Sequence, residues 1–135
     1  MKKRVNIELL GDLGFPKNHV FIDFLGYANP WGGRHNKQHW QIAIPMIGSF
    51  DYYCPEYDTS QPEDLALSAI NCFLGDAITA IDNNFESFCS DFGYDNDSIA
   101  ALKIFKACQK QAKKAAKVFS PDQIAEIYSK LGEIV

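Results

Sequence analysis

Apolar residues recur along this chain at two periods, and the change from one to the other divides it. In KRVNIELL, Val5, Ile7 and Leu9 fall on one side with Asn6 and Glu8 between them. HVFIDFLGY carries Val20, Ile22 and Phe24 at period two, and HWQIAIPMI carries Trp40, Ile42 and Ile44. Such alternation is what a strand with one buried face requires. SFDYYC predicts a further strand, joined to the previous one through Ile47, Gly48 and Ser49. Pro45 has no N–H to donate, which puts the end of its strand on an edge or at a bulge. ANPWGGRHNKQ, residues 28–38, is dense in turn formers and predicts an exposed loop.

From Ser60 the period becomes helical. Ser60 as a cap, Pro62 in the first turn, and Glu63 and Asp64 at the positive end of the helix dipole predict a start. Leu65, Ala69, Cys72, Phe73, Ala77 and Ile81 continue it as a stripe towards Asn83. Gly75 weakens that helix by about 1 kcal/mol relative to Ala, which implies a close packing contact there. FESFCSDFG predicts a short helix with Phe85, Phe88, Cys89 and Phe92 facing inward and Gly93 as a left-handed stop. Asp95 or Asp97 is expected to cap the next helix, which runs from about Ser98 to Phe119. Its apolar face is Ala101, Ile104, Phe105, Cys108, Ala112, Ala115 and Phe119. A last helix opens with Ser120 as cap and Pro121 in its first turn, burying Ile124, Ile127, Tyr128 and Leu131. The expected fold is α+β in a single domain, residues 1–135: an N-terminal antiparallel sheet of three to four strands packed against three to four C-terminal helices.

Composition narrows the class. The chain has 135 residues, 47% of them hydrophobic and 22% charged, a balance of soluble globular proteins and not of disordered chains. Its start, MKKRVNIELLGD, is basic but is interrupted by Asn6 and Glu8. We therefore expect no secretory signal, no membrane span and a cytoplasmic location. Cys54, Cys72, Cys89 and Cys108 form no C-x-x-C pair and are expected as buried free thiols.

Charge is distributed unevenly. From Gln38 to Leu102 there is no Lys or Arg, yet eleven carboxylates fall there. Among them, Asp51, Glu56, Asp58, Glu63 and Asp64 are the candidate partner-binding acidic surface, whose field would steer a basic partner. Lys103, Lys106, Lys110, Lys113 and Lys117 then step by three or four along one side of the long helix. That row suits phosphates, although a solvated helix face has the same spacing.

Other chemistry finds little support. A calcium loop counted from Asp91 needs Gly at its sixth position and Glu at its twelfth, where the chain has Asn96 and Leu102; capping of the long helix accounts for Asp91, Asp95 and Asp97. His35 and His39 lie in a Gly-rich loop entering a strand, without zinc-site context. PWGGRHNK lacks Walker spacing, and Trp31 and Arg34 there are at most a contact loop for a partner. No serine sits in an elbow motif, and a hydrolase using Cys89 or His39 is the weakest reading. Neither a cofactor nor a metal is expected.

FESFCSDFGYDNDSIAALKIFKACQKQAKK resembles a widespread set of small phage- and prophage-encoded proteins. They carry an F-x-x-F-C-x-[DE]-F-G-Y-[DN]-x-D-S stretch followed by a helix with an A-C-x-x-Q pattern, here ACQKQ. A strand pair like HWQIAI with SFDYY, and a helix like LALSAINCFLGDA, accompany it. The resemblance covers about residues 38–119, and the arm 1–37 departs from it. It carries no catalytic or binding residue over. What it implies is a non-enzymatic accessory protein that binds and inhibits a host defence protein or ribonucleoprotein complex, as anti-CRISPR proteins do. The acidic surface would compete with nucleic acid for that complex; direct nucleic-acid binding through the lysine-rich helix, residues 98–118, is the alternative.

Overall fold

Four strands form one antiparallel sheet in chain order: β1 (Lys2–Asn6), β2 (His19–Ala28), β3 (Lys37–Ile44) and β4 (Gly48–Pro55). Helix α1 (Glu8–Asp12) lies between β1 and β2, and α2 (Pro62–Ala80), α3 (Phe85–Phe92), α4 (Ile99–Ala115) and α5 (Pro121–Ile134) follow the sheet. This computed structural model describes residues 2–29, 34–81 and 83–134. The chain is thus an α+β protein, and it divides into two compact units, residues 2–70 and 71–134, with the division inside α2.

In the first unit the alternation works as the sequence predicts for Val20, Ile22, Ile42 and Ile44, whereas Phe24, beside the register shift in β2, is 37% exposed and Trp40 opposite it is half-buried. Val5 pairs with Val20, and Ile22, Ile42 and Phe50 stand abreast on β2, β3 and β4, all buried on one face of the sheet. Leu10, Leu13, Phe15, Leu65, Ala66, Ala69 and Ile70 are buried in the same unit.

Two details of that reading need correction. Leu9 does not continue the first strand: β1 stops at Asn6, and Ile7, Leu10 and Leu13 are buried at three-residue spacing around α1. The N–H of Ile7 still donates to the carbonyl of Asn18 at 2.6 Å, in register with the β1–β2 pairing, and the N–H of Leu10 then donates to Ile7 at 3.1 Å, which turns the chain into a helix. Pro45 marks neither an edge nor a bulge. Its strand β3 is interior and ends at Ile44, and Pro45 opens a turn closed by the Ile47 N–H on the Ile44 carbonyl at 3.1 Å. Met46 occupies the next position at φ +74°, where glycine is usual. The register irregularity lies instead in β2, between Phe24 and Gly26.

In the second unit, the corner at residues 85–98 is held by rings and caps. Asn84 accepts from the Ser87 N–H at 2.8 Å, and Gly93 at φ +75° stops α3 as expected. Phe88 and Cys89 are buried with Ala101 and Phe105, and the Phe88 ring lies 5.1 Å from that of Phe105. Phe85 is half-buried against Phe105. Phe92 is not in the core: it is 56% exposed, the last helical residue, and touches Phe88 from the solvent side. Neither Asp95 nor Asp97 caps α4; the Ser98 hydroxyl does, accepting from Ala101 at 3.1 Å. Helix α4 also ends sooner, at Ala115, and Ile104 on its shoulder is 38% exposed.

Ser120 and Gln123 cap α5 reciprocally. Its Tyr128 is half-exposed, yet its ring lies where a side chain on Gly75 would reach, 3.2 Å from an added Cβ. That is the close contact the glycine implies. Ser60 does not cap α2. Its N–H and hydroxyl both donate to the Asp58 carboxylate, at 2.8 and 2.5 Å. Cys54, Cys89 and Cys108 are buried free thiols, while Cys72 is exposed. Among the described residues no single helix is long and apolar enough to cross a membrane.

Candidate functional site

Between Asp97 and Asp122 the chain contains no acidic residue but six lysines. On α4, Lys103, Lys106, Lys110 and Lys113 are exposed, and Lys117 follows in the turn beyond the helix, also exposed. The face opposite them buries Ala101, Phe105, Cys108 and Ala115. Three- and four-residue steps at 1.5 Å per residue place successive lysines about 5 Å apart along one line. Among the described residues none of these five takes part in an ion pair within 4 Å. Lys114, off the row, is half-buried and has partners.

The acids of residues 51–64 are arranged differently. Asp51 accepts from the His39 ring at 3.0 Å on the outer face of the sheet, and His39 in turn stacks on Tyr53 at 4.6 Å. Asp58 is tied to Ser60, whose two donors hold its carboxyl below the ordinary value. Glu56 borders a cavity of about 540 Å³ together with His35 and Lys37. Glu63 borders one of about 440 Å³ together with Lys3 and Arg4. Asp64 is exposed in the first turn of α2. Bases from before residue 38 therefore reach the neighbourhood of Glu56 and Glu63, although the segment itself has no Lys or Arg.

The residue that shapes this end of the sheet is Gln38, buried and polar, which sequence reasoning passed over. Its amide N–H2 faces the carbonyls of Asp58 at 2.6 Å, Pro55 at 3.2 Å and Glu56 at 3.3 Å. Its oxygen accepts from the Trp40 indole at 3.0 Å. A donor on one side and three acceptors on the other fix which way the amide points. Gln38 thereby clamps the turn that carries Glu56 and Asp58. A glutamine in an exposed-looking loop carries no sequence signal for this role.

The nucleophile candidates are chemically muted. Cys89 is buried, its thiol donates to the Asp95 carbonyl at 3.6 Å, and burial, then Asp95, raise its pKa. Cys108 is pushed up to about 11 by burial and by Asp76. Such thiols remain protonated at neutral pH and make poor nucleophiles. Among the described residues, no three His, Cys, Asp or Glu side chains gather as a metal site. Asp91, Asp95 and Asp97 are all exposed. Of the loop expected as a contact surface, Trp31, Gly32 and Gly33 lie outside the described residues, as does Asp82 of the acidic segment, and Arg34 is exposed.

No protein-family model, curated protein or solved structure matches the chain.

Proposed function

We propose that the chain is a non-enzymatic accessory protein of the phage type that binds nucleic-acid-handling machinery of a host defence system and inhibits it through a charged surface. The resemblance of residues 38–119 supports the class. The observation that carries the choice of surface is the row of five exposed lysines on and just beyond α4, with no acid in the surrounding sequence and no ion pair within 4 Å among the described residues. Side chains already engaged with opposite charge have little left for a partner. Among the acids of residues 51–64, Asp51 is engaged by His39 and Asp58 by Ser60, so the five lysines are the longer run of unengaged like charge, and their chemistry fits the phosphate backbone of the nucleic acid in such a complex.

Five phosphate contacts predict a slope of log K against log salt of about −4 to −5 on duplex DNA, and a shallower one on single strands. Replacing Lys106, Lys110, Lys113 and Lys117 by Gln should bring the slope close to −1 and abolish inhibition. A parent protein that retains no nucleic acid at low salt would overturn this choice of surface.

A second reading keeps the acidic surface as the contact, occupying basic residues of the complex in place of nucleic acid. The exposure of Glu56, Glu63 and Asp64 favours it. Changing these three to Lys, with Asp58 left intact because it holds its own turn, should then abolish inhibition while the lysine variant remains active. Reversed outcomes in the two variants separate the readings.

A further inference from the structure

The lysine row has no aromatic residue interleaved with it, and phosphate contact alone does not distinguish a duplex from a single strand. The pairing of β1 with β2 creates a patch of a different kind. Arg4 stands opposite Phe21, Lys2 opposite Asp23 and Asn6 opposite His19, all on the face of the sheet away from Val5, Val20 and Ile22. The Lys2 ammonium lies 5.3 Å over the Phe21 ring. The Phe21 and His19 rings meet edge to face at 5.5 Å, and the Arg4 guanidinium donates to His19 Nδ1 at 3.4 Å. Neither ring is buried; both are half-exposed.

We propose that this outer face of β1 and β2 binds one strand of nucleic acid, with a base stacked on Phe21, the perpendicular His19 ring bordering it, and the adjoining phosphates on Arg4 and Lys2. The inference rests on the reading that the chain contacts nucleic acid, and it names the form: an unpaired strand, whose bases are free to stack. Aromatic rings on an open antiparallel sheet accept unstacked bases, while cations at their margin follow the backbone. The local charge agrees. Arg4, Lys2 and Lys17 adjoin the rings, against Asp23 opposite Lys2. His19 senses the excess, for burial and then Arg4 and Lys17 push its pKa below the ordinary value. A neutral imidazole is also the form whose Nδ1 accepts from Arg4.

Binding of the full-length protein to a labelled 15-nucleotide RNA, its DNA counterpart and the corresponding duplex tests this, with Phe21→Leu, Arg4→Gln and the four-lysine Gln variant beside the parent. Phe21→Leu retains an apolar side chain on the strand, and circular dichroism melts verify that each variant folds. We expect Phe21→Leu and Arg4→Gln each to weaken single-strand binding about tenfold, the loss of one stacked base or one charged contact, and to leave duplex binding within twofold. Equal loss on RNA and DNA marks base and phosphate as the ligand groups; loss on RNA alone adds the ribose hydroxyl. Single-strand binding unchanged in Phe21→Leu and Arg4→Gln but lost in the lysine variant overturns the sheet patch and leaves the lysine row standing. A parent that binds duplex but no single strand also overturns it.

Discussion

Replacing Gln38 by Ala should loosen the turn after β4, and the size of the effect follows from its hydrogen bonds. The amide has two protons. One goes to the Asp58 carbonyl at 2.6 Å; the other is shared between Pro55 and Glu56 at 3.2 and 3.3 Å. Its oxygen takes the Trp40 N–H at 3.0 Å. Three hydrogen bonds at about 1 kcal/mol net each set an upper scale of about 3 kcal/mol. The turn lies at the surface, so water can recover part of this, and we expect a loss of about 2 kcal/mol. Urea unfolding followed by circular dichroism measures it as a lower midpoint at unchanged slope. Gln38→Glu is the sharper variant, because it sets an acceptor-only carboxylate against three carbonyl oxygens. It should be less stable than Gln38→Ala at neutral pH. Those oxygens raise the introduced carboxyl's folded pKa, so its deficit should shrink as pH falls and the group gains a proton to donate. A Gln38→Ala protein within 0.5 kcal/mol of the parent (about the scatter of surface substitutions), or a Gln38→Glu protein no worse than it, would refute the clamp.

Phe88→Ala removes a ring that is 2% exposed and packed on Phe105, and should cost about 3–5 kcal/mol in the same unfolding experiment, whereas Phe92→Ala, at 56% exposure, should cost far less. Met46→Gly relieves a left-handed residue in the hairpin turn and should stabilise the protein by about 0.5–1 kcal/mol, read as a raised midpoint; a loss would show that φ +74° is not strained there. Asp76 is exposed on α2, yet partial desolvation by its neighbours raises its carboxyl above the ordinary 3.8, so the folded state keeps that proton to higher pH than the unfolded state. Stability should therefore fall as pH rises through the interval between the two values. Because solvent screens an exposed carboxyl, Asp76→Asn should make the protein only slightly more stable than the parent at neutral pH, and the difference should vanish in acid, below both values. Equal denaturation midpoints for the two proteins at neutral pH would contradict this assignment.

Much of this protein is written within stretches of a few residues. Val20, Ile22, Ile42 and Ile44 mark strands because a strand's faces alternate whatever it pairs with. Gly93 stops α3, Ser120 with Gln123 starts α5, and the lysines line one side of α4, because these features depend on neighbours no more than about four residues away. Where two local readings share the same letters, distant contacts decide. Val5, Ile7 and Leu9 alternate as a strand does, but Ile7, Leu10 and Leu13 also suit a helical turn, and their common burial selects the turn. Phe92 has the spacing of a core residue, yet the helix ends on it and leaves it outside. The candidate surfaces separate in the same way. The lysine row is legible from spacing alone. The Gln38 clamp spans up to 20 residues, and the patch of Lys2, Arg4, His19 and Phe21 exists only through the register of β1 on β2. Pairing register is a long-range choice made by burial of the opposite face of the sheet, so what gathers on the outer face follows from Val5 meeting Val20 and from nothing in either segment alone.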